Sequence, residues 1–113
     1  MVKSKSETSD EQLVLFVQKG DKQAFDLLVL KYQGKMQSIV SRFIRDPDEV
    51  ADVVQEAFIK AYRALPKFRG DSKFYTWLYR IGVNTAKNYL VARSRRPPGS
   101  DIDLSDAEHY SGN

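Results

Sequence analysis

Apolar residues recur at three- and four-residue steps through nearly all of residues 10–96, and each run begins at a helix-start signal. That period fits one face of an α-helix and not the two-residue alternation of a half-buried strand. Ser9 with Gln12 three residues on reads as a capping box, in which each side chain satisfies a backbone amide that the first helical turn leaves bare. The helix it opens shows Leu13, Phe16 and Val17 at helical spacing and stops at Gly20. Asp21 caps a second helix from Lys22. Its stripe of Ala24, Leu27, Leu28, Tyr32, Met36, Ile39, Val40 and Phe43 predicts a run over 22–45, with Gly34 as a mild weak point.

Asp46-Pro47-Asp48-Glu49 is a restart. Asp46 serves as N-cap, Pro47 fits the first helical position, and Glu49 occupies the capping-box position. Val50, Val53, Val54, Ala57, Phe58, Ala61, Tyr62 and Leu65 then form one face up to Pro66. A loop over 66–71 precedes a last long helix capped by Asp71 or Ser72, on which Phe74, Trp77, Leu78, Ile81, Thr85 and Tyr89 recur. Gly82 in its interior costs up to about 1 kcal/mol against Ala, which suggests a close approach by a neighbour's backbone. Pro97-Pro98-Gly99 ends the helix. The expected fold is all-α, a compact bundle of about four helices over 10–98. Residues 1–9 are expected to be flexible, and 99–113 to form an acidic linker or tail.

A chain of 113 residues supports one domain with a core of its own. The longest apolar run, 13–17, is five residues, and 27–30 is four, far short of the roughly 20 that a membrane span needs. Lys3 and Lys5 are followed by Ser, Glu and Asp instead of an apolar segment, so no signal peptide is expected, and the default location is the cytoplasm. There is no cysteine, and the single histidine, His109, lies in the tail. A disulfide framework, a thiolate or multi-histidine metal site and a histidine-based triad are therefore excluded. No phosphate-binding glycine motif occurs. No catalytic residue, metal or cofactor is expected.

The net charge of +3 conceals a polarity. Asp101, Asp103, Asp106 and Glu108 give residues 97–113 a charge of −4, which leaves +7 on the first 96. Across 60–96 stand ten Lys or Arg and one acid, Asp71. Residues 68–79 hold five of the thirteen aromatics: Phe68, Phe74, Tyr75, Trp77 and Tyr79. Cations neutralise phosphates and aromatic faces stack on unpaired bases, so this stretch suits a nucleic acid strand with at least one base exposed. The plainer meaning of a basic chain is a solvated basic surface. Phe74, Trp77, Leu78 and Ile81 fall on one side and fill the core, with Tyr75 and Tyr79 on another. Thr76, Arg80, Asn84, Lys87 and Asn88 form a polar face able to bond base edges and phosphates together. The adjoining loop, with Phe68, Arg69, Gly70, Asp71 and Ser72, is shaped to wrap one flipped base.

Asp46, Asp48, Glu49, Asp52 and Glu56 crowd the start of the third helix. Acids at a helix N-terminus are favoured by its dipole, which accounts for the first three. Asp52, Gln55 and Glu56 share an exposed face further on, which fits either a basic protein partner or a solvated face. Arg93, Arg95 and Arg96 suit either the last turn of a helix or phosphate contacts.

The strings DVVQEAFIKAYRAL and FRGDSKFYTWLYRIGVNTAKNYLVARSRRPP, with LVLFVQKGDKQAFDLLVLKYQGKM upstream, closely resemble region 2 of bacterial extracytoplasmic-function (ECF) sigma factors of the sigma-E/AlgU type. The likeness covers roughly residues 10–98. It implies an all-helical domain that binds core RNA polymerase, opens promoter DNA and reads the −10 element without bond chemistry. On the matching positions, Asp52, Gln55, Glu56 and Ile59 dock on the coiled-coil clamp of the polymerase β′ subunit. Phe68, Arg69, Gly70, Asp71, Ser72, Phe74, Tyr75 and Thr76 capture a flipped non-template base. Arg80, Asn84, Lys87 and Asn88 lie along the −10 element, and Lys60, Arg63, Lys73, Arg93, Arg95 and Arg96 hold phosphates. Anti-sigma factors, often membrane-bound, are further partners of such domains. A helical domain lying on anionic lipid fits the charge but not the asparagines or the loop, so no membrane contact of its own is expected. The family carries a second domain, region 4, that reads the −35 element. None follows here, and a truncated form or fragment is the expectation.

Overall fold

A computed structural model describes residues 8–95. Helix α1 spans Asp10–Gln18, α2 Lys22–Ser41, α3 Pro47–Ala64 and α4 Phe74–Ser94, with a short 3-10 turn at Leu65–Lys67 between α3 and α4. No strand occurs among the described residues. The expected all-α bundle of four helices is therefore what forms. Among the described residues, no helix is long and apolar enough to cross a membrane.

The local start signals work as read. Ser9 and Gln12 bond each other's backbone amides, both at 3.3 Å. Asp21 accepts from the amides of Gln23 and Ala24, and Asp46 from that of Asp48, with Pro47 in the first turn. Glu49 does not close a capping box; its carboxylate reaches across to Arg93 on α4. Gly20 turns the chain from α1 into α2 with φ of 105°, a conformation that a Cβ would oppose.

α2 is the central element, packed against α1, α3 and α4. It buries Ala24, Phe25, Leu28, Tyr32, Met36, Ile39 and Val40, while Leu27 and Phe43 are half-buried. α2 ends at Ser41, four residues short of the predicted limit, and a non-helical stretch leads to the Asp46 cap. α3 contributes Val50, Val53, Val54, Ala57, Phe58 and Ala61 to the same core. Each fully buried Leu or Val adds about 1.5–3 kcal/mol before entropy is counted. α1 buries Leu13, Val14 and Val17, whereas Phe16 is 40% exposed. Phe16 takes the helical spacing of a core residue but the solvent flank of its helix.

The close approach expected at Gly82 is made by a side chain. A Cβ built there would stand 2.5 Å from Sδ of Met36, which α2 buries in the core. The missing methyl at Gly82 is the space that Met36 fills between α2 and α4. Thr85, one turn on, is buried and donates its hydroxyl to the carbonyl of Ile81 at 2.6 Å.

Candidate nucleic-acid interface

Residues 68–73 join the 3-10 turn to α4, and a distant side chain holds their shape. The Gln18 Nε2 group donates to the carbonyls of Leu65 and Phe68, both at 2.9 Å. This side-chain amide pins the start of the loop to α1. Gly70 adopts φ of 80°, and Arg69 and Asp71 pair across it at 3.6 Å with both side chains well exposed. Neither Asp71 nor Ser72 caps α4. The N-cap is Lys73, with extended backbone and no side-chain bond, and the Ser72 hydroxyl donates to the Lys73 carbonyl at 3.2 Å. The first amides of α4 thus carry no side-chain cap, at a helix end whose dipole is positive.

Between this loop and α1 lies a cleft of about 500 Å³. One wall is Phe68, Arg69, Gly70, Asp71, Ser72, Lys73 and Phe74; the other is Glu11, Val14, Leu15 and Gln18. The predicted pocket residues are therefore brought together, with two exceptions. Tyr75 and Thr76 do not line the cleft; Tyr75 turns toward α2 and stacks on Tyr32. The α1 wall was not legible in the sequence, since the contacts of Gln18 span 47 and 50 residues. Behind the cleft, the Phe68 ring lies 5.0 Å from Trp77 and 6.4 Å from Phe74, centroid to centroid. Trp77 is half-buried and packs on the core, and Phe74 is buried, so this aromatic group supports the loop from beneath.

Arg80, Asn84, Lys87 and Asn88 are all exposed on α4. At about 100° of rotation per residue they share one arc of the helix, continuing away from the cleft. The cations differ in what they already hold. Lys60 pairs with Glu56 at 3.1 Å, and Arg63 and Lys73 are exposed. Nη1 of Arg93 reaches both oxygens of Glu49, at 2.6 and 2.9 Å. Tyr89, beside that pair, has its hydroxyl pKa pushed up by burial and by the Glu49 carboxylate. Arg95 is exposed, and Arg96 lies outside the described residues.

Asp52, Gln55, Glu56 and Ile59 are exposed on α3. Gln55 and Ile59 border a second cleft of about 520 Å³ between α2 and α3. Its floor is apolar, from Phe25, Val29, Val54 and Phe58, with Tyr62 edge-on to Phe25 at 4.9 Å. Asp52 and Glu56 do not line it.

This helical frame, with its loop cleft and basic α4, has known counterparts. Residues 28–96 match sigma-70 region 2, and the chain belongs to that family. Its relatives are of the ECF, sigma-E type. The RNA polymerase sigma-H factor of Pseudomonas aeruginosa is 64% identical over 107 residues, 95% of this chain and 55% of that protein. The ECF RNA polymerase sigma-E factor of Escherichia coli is 67% identical over 102 residues, 90% of this chain and 53% of that protein. The chain thus spans about half the length of these curated relatives. Among solved structures, an engineered region 2 of sigmaE in complex with GTAAAA superposes with a TM-score of 0.76 and 62% identity, covering 80% of this chain and 95% of that one.

Proposed function

We propose that residues 10–98 read the −10 element of a promoter as part of an RNA polymerase holoenzyme, capturing one flipped base of the non-template strand. The observation that carries this reading is the cleft between the 68–73 loop and α1, which adjoins the exposed Arg80, Asn84, Lys87 and Asn88. In it Phe68 and Phe74 supply apolar walls. Arg69, Asp71, Ser72 and the loop backbone supply donors and acceptors for a base edge, and Thr76 follows at the start of α4. Unstacking and unpairing a base costs a few kcal/mol, and its capture offsets that cost, so opening of the duplex is coupled to binding. Asn84 and Asn88 bond base edges on the flank of the captured base. Lys60, Arg63, Lys73, Lys87, Arg95 and Arg96 neutralise phosphates, which makes affinity fall with salt. Selection from a pool of randomised single strands tests the reading. Recovered strands should share one short motif, and a pool that stays unenriched would refute base readout.

The apolar α2/α3 cleft favours a protein partner for the other side of the domain. Docking of Asp52, Gln55, Glu56 and Ile59 on the polymerase β′ clamp is the reading proposed for it, and an anti-sigma factor is the alternative occupant of the same surface. Asp52→Lys with Glu56→Lys should cut binding to a purified β′ clamp fragment more than tenfold, the scale of reversing two contact charges across an interface. Strand binding should be unchanged. Undiminished clamp binding would remove the acids from the docking role.

A further inference from the structure

The outer stripe of α4 holds more than a nucleic acid strand would use. Arg80, Asn84, Lys87, Val91 and Arg95 follow one another at three- and four-residue steps, and all are exposed. At about 100° of rotation per residue they lie within one arc of the helix. Arg80 and Lys87 have no carboxylate partner among the described residues. Val91 is 45% exposed. A lone exposed valine is ordinary on a protein surface. This one stands one turn from Lys87 and one turn from Arg95, and a phosphate gains nothing from an apolar group between its cations.

The chain itself carries the complement of that stripe. Residues 96–113 lie outside the described residues, and their sequence holds Asp101, Asp103, Asp106 and Glu108 with no Lys or Arg after Arg96. Ile102 and Leu104 are interleaved with the first of these acids. The segment combines anions with apolar groups, as the stripe combines cations with Val91. Its reach is sufficient. Along α4, Arg80 and Arg95 are separated by about 22 Å at 1.5 Å per residue. The chain from 95 to 106 spans up to about 36 Å. Between them Pro97-Pro98-Gly99 ends the helix and permits a turn. A short tether also holds segment and stripe at an effective concentration in the millimolar range, so a contact of only a few ion pairs is populated.

We propose that residues 101–108 dock on the α4 stripe and shield it. Ile102 and Leu104 lie against Val91 and the aliphatic stems of Lys87 and Arg95, while the acids meet the cationic heads. DNA must then displace the segment to gain those cations. The competition with DNA rests on the strand following α4; the docking does not. The chain has no cysteine, so Ser105→Cys provides a single site for a nitroxide label. In amide NMR spectra of the whole chain, the label should broaden Asn84, Lys87 and Val91. The broadening of Asn84 and Lys87 should vanish when the acids are neutralised together by Asp101→Asn, Asp103→Asn, Asp106→Asn and Glu108→Gln. It should also vanish in about 1 M salt, where charges are screened beyond ~3 Å. Val91→Ser, a surface change, should weaken it with every charge intact. Equal broadening with and without the acids would overturn the docking. Broadening that needs the acids but ignores Val91→Ser would reduce it to diffuse attraction and overturn the seat on Val91. By fluorescence anisotropy, the neutralised form should bind an oligothymidine about tenfold more tightly than the wild type, the scale of a few exposed ion pairs together. Equal affinity alongside a docked label would overturn the competition alone, and with it the path of the strand along α4.

Discussion

The two clefts are nearly equal in volume, about 500 and 520 Å³, and differ in how their walls are built. The α2/α3 cleft lies between two long helices, and its apolar floor is part of their packing. The loop cleft has one helical wall and one wall of irregular backbone, with Arg69, Asp71 and Lys73 around it. A rigid apolar trough suits the side chains of a helix from a partner. A wall of backbone donors and acceptors suits the edge of a base. The difference also shows where each is vulnerable. The first cleft is as stable as the bundle, whereas the loop wall of the second is tied to α1 by the amide of Gln18 and rests on the rings of Phe74 and Trp77.

Gln18→Leu is accordingly the substitution with the largest predicted effect. It leaves the part-buried carbonyls of Leu65 and Phe68 without their side-chain donor, at a cost of about 1–3 kcal/mol. Urea unfolding measures that loss. Strand binding should weaken at temperatures where the variant is still folded, while clamp binding should hold. Equal losses on both surfaces would mean that the clefts are not independent.

The same amide explains why the sequence was readable in some places and not in others. The helix starts at Ser9, Asp21 and Asp46 are encoded by bonds within three residues, and each stands where the local pattern put it. The start of α4 is different. Asp71 and Ser72 are both good capping types, yet the loop is positioned by Gln18 from far along the chain and by the positive φ of Gly70. The helix consequently begins beyond them, at Phe74. The α1 wall of the cleft, the Met36 contact at Gly82 and the Glu49–Arg93 bridge were hidden for the same reason: they join segments tens of residues apart. Periodicity named the core faces of α2, α3 and α4 well. It failed at Tyr62, which stays exposed at the edge of the α3 face, and at Phe16, since a nine-residue helix with a broad apolar surface does not reveal which flank it buries.

Tyr32 offers a smaller effect with a pH signature. Burial first, then the bond to Asp10, pushes its hydroxyl pKa well above the ordinary 10.0, and Tyr89 shifts the same way. A raised folded pKa means that the folded state holds the proton more tightly. The stabilisation is therefore complete below about pH 10 and is lost as pH climbs from there toward the folded value. Thermal melts between pH 9 and 11 should fall more steeply for the wild type than for Tyr32→Phe, which should cost only about 1 kcal/mol near neutrality. Parallel slopes would mean that Tyr32 is not part of the alkaline transition. The α2/α3 cleft should keep its ligand in Tyr32→Phe, since neither Tyr32 nor its partner Asp10 lines it.

Arg93→Ala has the smallest predicted effect, and it sharpens the comparison from outside both clefts. The guanidinium is half exposed and bound to Glu49, the ordinary setting of a surface ion pair, so stability should drop by about 0.2–1 kcal/mol and less in high salt. If Glu49 fully occupies Arg93, strand affinity and its salt dependence will not change. If Arg93 leaves Glu49 for a phosphate, affinity will fall and the slope of log K against log salt will shrink by about 1. That result would extend the strand's path along α4 to its last turn. The bridge from α3 to α4 would then open on binding, and Glu49→Gln, by freeing the arginine in advance, would strengthen binding instead of weakening it.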